Sequence, residues 1–553
     1  MIKIKLLFIC FFLLYLAIIF KLFLIQIVHP VPSGKDIYLH TNKIYPERGK
    51  IFDRNLKPLA LNQNSYQLFI EPKKIEDKKK TIESLSRILE IPEASLASKL
   101  DEKKYWIAIA AGIERRKKEE IESLKLPGIG FNYQMKRFYP EASLSAHLLG
   151  FMGKNKNNED VGYFGIEGFY DKDLAGLPGF LQSERDLLGR PILVGTQEKV
   201  IAENGRNLVL TLDKTVQEIS KRRLNIGLER YKAKQGCVIT AAPETMEILG
   251  LVCLPDYDPD KYYQFNEAYF KNPVISEVFE PGSIFKPLVM AAAIEEKKIK
   301  PTDYYNEVGP IEIGEYKIRT WNNKYEGRIS MTRILEKSSN VGMVYVGEKL
   351  GNNNLLNYLK KYGFGEVTKI DLQGEISGYL KPLSNWYPID FATVAFGQGI
   401  AVTPIQMITA FSSIVNGGKL MRPYVVSEIF SQTEKKIIKP KMVRRVISER
   451  TSEIIKKMLK STVENGEIKW AKPQGYSIGG KTGTAQIPIK GHYDPSKTIA
   501  SFIGFFPVGN PKLIILVMLR EPQTSPWGSE TAAPLFFEIA KELIVYYNIA
   551  PDQ

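Results

Sequence analysis

Phe279-Glu280-Pro281-Gly282-Ser283-Ile284-Phe285-Lys286-Pro287 carries a helix start and a pair of side chains with chemical capacity. Apolar residues continue at Leu288, Val289 and Ala291 to Ile294, so a helix begins here. Pro287 has no backbone N–H, which a helix tolerates only in its first turn. Ser283 therefore falls at or near the N-cap. Residues three apart share a helix face, so Lys286 is within reach of the Ser283 hydroxyl. A serine beside an amine base is a nucleophile arrangement that needs no histidine. Taken alone, the tetrapeptide reads more simply as a capping serine with an exposed lysine, because such matches arise by chance in long chains.

Two further motifs lie downstream. Ser338-Ser339-Asn340 falls between a short helix over Met331–Lys337 and another over Val341–Leu350, where Asn340 is also explained as a cap. Lys481-Thr482-Gly483-Thr484 follows Ser477-Ile478-Gly479-Gly480 and reads as a strand with little side-chain bulk. An open edge of this kind accepts an extended peptide as an added strand. It is equally a plain edge protected by a lysine. Alternation places Thr482 and Thr484 on one side and Lys481 on the other, and the pattern does not show how both sides serve one site.

Around these motifs the elements form a consistent set. Leu208–Leu212 and Gly236–Ala241 read as strands, Lys214–Tyr231 as a helix, and Thr245-Met246-Glu247 as a turn into a strand over Ile248–Cys253. Strands return at Thr498–Phe506 and Lys512–Leu519, and Ala532–Tyr547 closes the chain as a helix. Early strands, a helical middle and late strands predict an α+β unit with helices packed on an antiparallel sheet. The 553 residues are 44% apolar and 25% charged, which excludes collagen-like, low-complexity and wholly disordered chains. A net charge of +15 suggests a negative neighbour: a membrane surface, nucleic acid or an anionic polymer. Cys10, Cys237 and Cys253 are too few for a disulfide framework and have no zinc-site spacing. Only His29, His40, His147 and His492 are available to a histidine-dependent mechanism.

The first 205 residues differ in texture. Leu6 to Phe20 is unbroken apolar sequence, and its extension to Val28 adds only Lys21 and Gln26. At about 1.5 Å per residue this span reaches roughly 35 Å, enough for a bilayer core of ~30 Å. It is longer than a cleaved signal's apolar stretch, and His29-Pro30-Val31-Pro32 offers no cleavage site, so an uncleaved anchor is expected. Lys3 and Lys5 favour a cytoplasmic N-terminus, with the bulk of the chain outside the cytoplasm. Beyond it, Thr81–Leu89, Glu93–Leu100 and Ile113–Leu124 read as helices and Trp106–Ala111 as a strand. The basic run Arg115-Arg116-Lys117-Lys118 reads as a solvated face, and no nucleic-acid partner is expected of an exported chain. The expected division is an anchor over 1–28, a pedestal domain over 29–205 and a second domain over 206–553.

Ser-x-x-Lys, Ser-x-Asn and Lys-Thr-Gly in that order are the penicillin-recognising signature set. All three occur here, 55 residues apart from Ser283 to Ser338 and 143 from Ser338 to Lys481. With the flanks Phe396-Gly397-Gln398-Gly399 and Ser501-Phe502-Ile503-Gly504-Phe505, they resemble the penicillin-binding transpeptidases. Arg48-Gly49-Lys50-Ile51-Phe52-Asp53-Arg54-Asn55, Tyr139-Pro140, His147-Leu148-Leu149-Gly150 and Gly165-Ile166-Glu167-Gly168 resemble the pedestal signatures of class B penicillin-binding proteins. The resemblance covers roughly residues 45–545. A bifunctional class A enzyme would need a larger first block for its glycosyltransferase, and a β-lactamase would be about half this length without anchor or pedestal.

The resemblance implies a serine β-lactamase-like transpeptidase domain behind an elongated α+β pedestal and one N-terminal transmembrane helix. It implies a peptidoglycan D,D-transpeptidase in which Ser283 attacks the penultimate D-Ala of a stem peptide. Lys286 would be its base, Ser338 a proton relay tuned by Lys481, and Asn340 a partner of the substrate amide. Thr482, Gly483 and Thr484 would bind the substrate, and the backbone N–H groups of Ser283 and Thr484 would form the oxyanion hole. No metal or organic cofactor is implied. Implied partners are stem peptides, β-lactams, a membrane-embedded glycan-strand polymerase of the FtsW/RodA type and other membrane proteins of the division machine. Phe279-Glu280-Pro281-Gly282, Ile318-Arg319-Thr320-Trp321 and Lys337 to Gly342 resemble the division-type, FtsI-like branch, with elongation as the alternative. A non-catalytic penicilloyl sensor or scaffold is the third reading, disfavoured because a scaffold has no chemical need of Lys286.

Overall fold

The apolar run Leu513-Ile514-Ile515-Leu516-Val517-Met518-Leu519 forms the middle of a five-stranded antiparallel sheet. The order across the sheet is Ile248–Leu254, Gln235–Ala241, Leu513–Arg520, His492–Phe506 and Gly479–Ile489. Such a run is expected of a strand buried on both faces, because successive side chains point to opposite sides. Ile514 and Leu516 pack with Phe285, Leu288 and Ile408, whereas Ile515, Val517 and Leu519 pack with Leu224, Phe536 and Leu543. The first face therefore holds the helices Lys286–Glu295 and Pro404–Val415, and the second holds Lys214–Tyr231 and Ala532–Tyr546. This is the expected α+β arrangement, and most element boundaries fall within a few residues of their expected places.

The chain is described here as a computed structural model covering residues 2–24, 39–101, 103–184, 197–489 and 492–553. It divides into two compact units. One comprises Met1–Arg48 with Ala175–Gly205, the other Gly49–Leu174 with Arg206–Gln553. The smaller unit contains a helix, Ile2–Phe23, and an antiparallel sheet of Leu39–Ile44, Gly179–Glu184 and Gln197–Val200. The span expected over Leu6–Val28 falls partly on this helix, and its residues 25–28 lie outside the described residues. Among the described residues no helix is long and apolar enough to cross a membrane.

Within the larger unit, the signature residues of the first block have structural reasons. Asp53 is fully buried and its carboxylate accepts from the N–H groups of Asn55 (2.8 Å), Lys57 (2.7 Å) and Lys214 (3.2 Å). It thus closes its own turn and caps the approach to the helix Lys214–Tyr231. A Cβ on Gly49 would lie 1.8 Å from the carbonyl oxygen of Arg206, so no larger residue fits there. Ile51–Phe52 pairs in parallel with Asn207–Leu210, joining both blocks in one sheet. Arg137 and Glu167 form a buried ion pair at 2.7 Å. His147 is buried, its Nε2 2.9 Å from the Tyr269 carbonyl, and burial pushes its imidazole down to about 4. Its place is structural.

Two cysteines that the sequence reading treats only as too few for a framework are joined. Cys237 and Cys253 form a disulfide across the paired strands Gln235–Ala241 and Ile248–Leu254, where they stand directly opposite each other.

Candidate active site

A 3₁₀ turn, Gly282–Phe285, leads into the α-helix Lys286–Glu295. Ser283 is therefore inside the first helical turn rather than at an N-cap, and neither start has a side-chain cap bond. Its own N–H is one of the donors a helix start leaves without an intrahelical partner. The turn before Ser283 is pinned from the segment after residue 395. Gly282 N–H donates to the Gly397 carbonyl at 2.9 Å, Phe279 N–H to Val402 at 2.9 Å, and Gly399 N–H to Glu280 Oε1 at 3.1 Å. Gly397 has φ +84°, and a Cβ there would stand 2.1 Å from the Gly282 oxygen. The Phe396–Gly399 motif thus serves as the seat of the nucleophile turn.

Lys286 is fully buried beneath this turn. Its Nζ lies 2.6 Å from the Ser338 carbonyl, 3.3 Å from Ser338 Oγ and 2.8 Å from Asn340 Oδ1. Among the described residues its hydrogen bonds go to these atoms and not to Ser283. Asn340 is itself oriented by donating through Nδ2 to the Arg319 carbonyl at 3.1 Å. Ser338 adopts a left-handed backbone, φ +58°. That conformation is costly for a residue with a Cβ and persists where its surroundings over-determine it. Here they do. Ser339 caps the helix Asn340–Leu350 by accepting from Gly342 N–H at 2.9 Å, and its hydroxyl also bonds Glu307. Glu307 is fully buried and pairs with Lys337 at 2.7 Å. The capping residue is thus Ser339, not Asn340.

From the sheet side, Lys481 Nζ donates to Ser338 Oγ at 2.9 Å and lies 3.2 Å from both Thr482 oxygens, carbonyl and Oγ1. Gly479–Ile489 is an edge strand, as expected, but Lys481 is only 3% exposed and does not guard the edge. The alternation seen in the sequence resolves here. The threonines face the cleft while Lys481 reaches Ser338 from the buried side. Gly483 is pressed between Ser501 Oγ, 2.3 Å from a would-be Cβ, and Ile284. The Ser501–Phe505 motif therefore backs this strand. Gly528 N–H donates to Thr484 Oγ1 at 3.0 Å.

Ser283, Ser338, Asn340, Thr482 and Thr484 line one cleft, with Lys286 and Lys481 buried behind it. Among the described residues no histidine lines it. Burial, then the charge of Lys481, holds the Lys286 amine far below the usual lysine range. Burial pushes Lys481 down to about 8, with Glu467 opposing. A neutral Lys286 can accept a proton, and a protonated Lys481 can polarise Ser338, so the two lysines have distinct chemical capacities.

Sequence reasoning missed Glu307, Glu467 and Trp527. Glu467 and Trp527 stand in the cleft wall and Glu307 supports the Ser338 turn, each brought there by long-range folding without a local motif.

The profile described as the penicillin binding protein transpeptidase domain matches residues 236–541, and that of the penicillin-binding protein dimerisation domain matches residues 43–210. Stage V sporulation protein D of Bacillus subtilis (strain 168) is 34% identical over 527 residues, covering 94% of this chain and 81% of that protein. A peptidoglycan D,D-transpeptidase FtsI homolog of Mesostigma viride is 31% identical, with 96% and 94% covered. The crystal structure of penicillin binding protein 2X from Streptococcus thermophilus shares the fold, with a TM-score of 0.76 at 24% identity over 92% of this chain and 80% of that one.

Proposed function

The chain belongs to the penicillin-binding protein transpeptidases, and from that premise we propose how its cleft cross-links peptidoglycan. The enzyme is a class B, serine-type D,D-transpeptidase that acts on stem peptides and binds β-lactams. Ser283 Oγ attacks the carbonyl of the penultimate D-Ala and gives its proton to neutral Lys286. The oxyanion is stabilised by the backbone N–H groups of Ser283 and Thr484. Ser338, polarised by protonated Lys481, relays a proton to the departing D-Ala amine. Asn340 holds the substrate amide, and Thr482, Gly483 and Thr484 hold its backbone and carboxylate. An amine of a second stem peptide then displaces Ser283. The observation that carries this assignment is the convergence of Lys286 and Lys481 on Ser338 beside Ser283. The test is covalent labelling by a fluorescent penicillin. Ser283→Ala should not label while remaining folded, and labelling at the wild-type rate would remove Ser283 as nucleophile.

The proposed division is an anchor over 1–28, a pedestal over 29–205 and the transpeptidase domain over 206–553, supported by the ranges of the two matching profiles. The anchor would fix the protein as a single-pass component of the cytoplasmic membrane, with its N-terminus in the cytoplasm. The apolar run from Leu6 and the exposed Leu7, Phe8, Phe11 and Phe12 of the N-terminal helix support this. Its partners would be a membrane-embedded glycan-strand polymerase of the FtsW/RodA type and other division-machine membrane proteins. The role is septal, supported by the flanks of Ser283 and Ser338 and by the FtsI homolog among its relatives. A sporulation role is the second reading, favoured by the relative with that name. Depletion should give filaments or chains of undivided cells. A defect confined to spore formation would favour the second reading, and swollen, dividing cells would point to elongation.

A further inference from the structure

The donor stem peptide accounts for most of the cleft, but one part of its lining does not suit it. Glu467 lies just beyond the helix Glu449–Asn465, in the same cleft as Ser283, and is open to solvent there. Trp321 and Trp527 line the same cleft, 45% and 36% exposed, with ring centroids 5.2 Å apart at 59°. Partial burial raises the proton affinity of the Glu467 carboxylate, Lys481 and Lys286 oppose this from the buried side, and Glu530 adds to it. A carboxylate in this position disfavours the donor's own carboxylate. A carboxylate that shares its cleft with two exposed indoles is instead a site for an ammonium, which donates a charge-assisted hydrogen bond to the carboxylate and is attracted to indole π-faces.

Of the two stem peptides, the acceptor is the one whose ammonium must enter the cleft beside Ser283, because its nitrogen bonds to the acyl carbon there. We propose that Glu467, with Trp321 and Trp527, binds the ammonium of the acceptor stem peptide and so makes the enzyme selective for amines over neutral nucleophiles. The inference rests on the transpeptidase reading. Glu467 undergoes no covalent change. After binding, the ammonium gives one proton to neutral Lys286, and its nitrogen bonds to the acyl carbon as the bond from that carbon to Ser283 Oγ breaks. The nitrogen's second proton passes to Ser283 Oγ, and Lys286 returns its proton to water.

The test uses the full-length protein in detergent with a D-Ala thioester donor, comparing glycinamide and methanol as acceptors. The measured quantity is transfer relative to hydrolysis, which is independent of the acylation rate because both routes leave one acyl-enzyme. Glu467→Gln should lower the glycinamide ratio by about tenfold, the scale of a lost charge-assisted hydrogen bond, with the methanol ratio unchanged. Glu467→Asp should recover part of it. An unchanged glycinamide ratio in Glu467→Gln overturns the proposal. So does an equal fall with methanol, which would mean that Glu467 acts through the lysines. A wild-type protein that forms no acyl-enzyme with the thioester overturns the transpeptidase reading itself, and the proposal with it.

Discussion

Lys481 Nζ lies 2.9 Å from Ser338 Oγ, across 143 residues of sequence. The same hydroxyl stands 3.3 Å from Lys286 Nζ. Two buried amines thus share one serine, and each positive charge would raise the cost of the other. The arrangement favours one charged and one neutral lysine, which is the division of labour that serine acylation without histidine requires.

The first prediction concerns pH. Lys481 is held at about 8, so it is protonated below that value and loses its charge as pH rises through it. The rate of penicillin acylation should fall on the alkaline side with an apparent midpoint at about 8. Lys481→Arg keeps its charge to well above pH ~10, so its profile should lose that limb whatever its plateau. Stopped-flow acylation across pH 6–10 checks this, and an unchanged limb in the arginine variant would assign it to another group.

The base is tested separately. Lys286→Ala removes the proton acceptor while leaving Ser283 in place, and general-base loss typically costs about 10²–10⁴-fold in rate. Acylation should slow by that scale. Circular dichroism should show an unchanged fold, and a slowdown under tenfold would move the base elsewhere.

A stability prediction comes from Arg137 and Glu167, whose side chains are 4% and 0% exposed. Arg137 also donates to the Gly49 carbonyl at 2.8 Å. Removing one member of a buried pair strands the other charge and costs about 3–5 kcal/mol. Arg137→Ala should therefore destabilise the protein by that amount in denaturant titration. A loss below ~1 kcal/mol would put the pair on a level with surface bridges.

A matched pair of glycines separates strain from collision. Gly397 and Gly351 both have positive φ, +84° and +82°. A Cβ at Gly397 would meet the Gly282 oxygen, whereas at Gly351 there is open space. Gly351→Ala should cost only the backbone penalty of its φ +82°, ψ 148° conformation, about 1–3 kcal/mol. Gly397→Ala should also displace the nucleophile turn and suppress labelling by a fluorescent penicillin. Equal labelling by the two variants would contradict this.

Much of this architecture was legible because it is written locally. The run Leu513–Leu519 announces a doubly buried strand, Lys214–Tyr231 has its helix bounds in its own periodicity, and Ser283, Ser338 and Lys481 each sit in a short motif. What stayed hidden depends on approach in space. Lys481 lies on the face opposite Thr482 by alternation, and it is the left-handed turn at Ser338 that brings the Ser338 hydroxyl to it from 143 residues away. Glu307 has no motif, yet it holds Lys337 and Ser339 under that turn. Cys237 and Cys253 are joined by strand register, which counting cysteines does not show.

The contact of Gly397 with Gly282 also bears on how this target evolves under antibiotic pressure. A lineage exposed to β-lactams gains by reshaping the cleft that the drug enters, but Gly397 leaves no space for even a methyl group behind the nucleophile turn. The triad of Glu307, Lys337 and Ser339 is closed in the same way, since each member satisfies a buried neighbour. Substitutions that reshape the cleft without moving the nucleophile are therefore expected at wall positions such as Gln398 and Ser529, which face the cleft and are only partly buried.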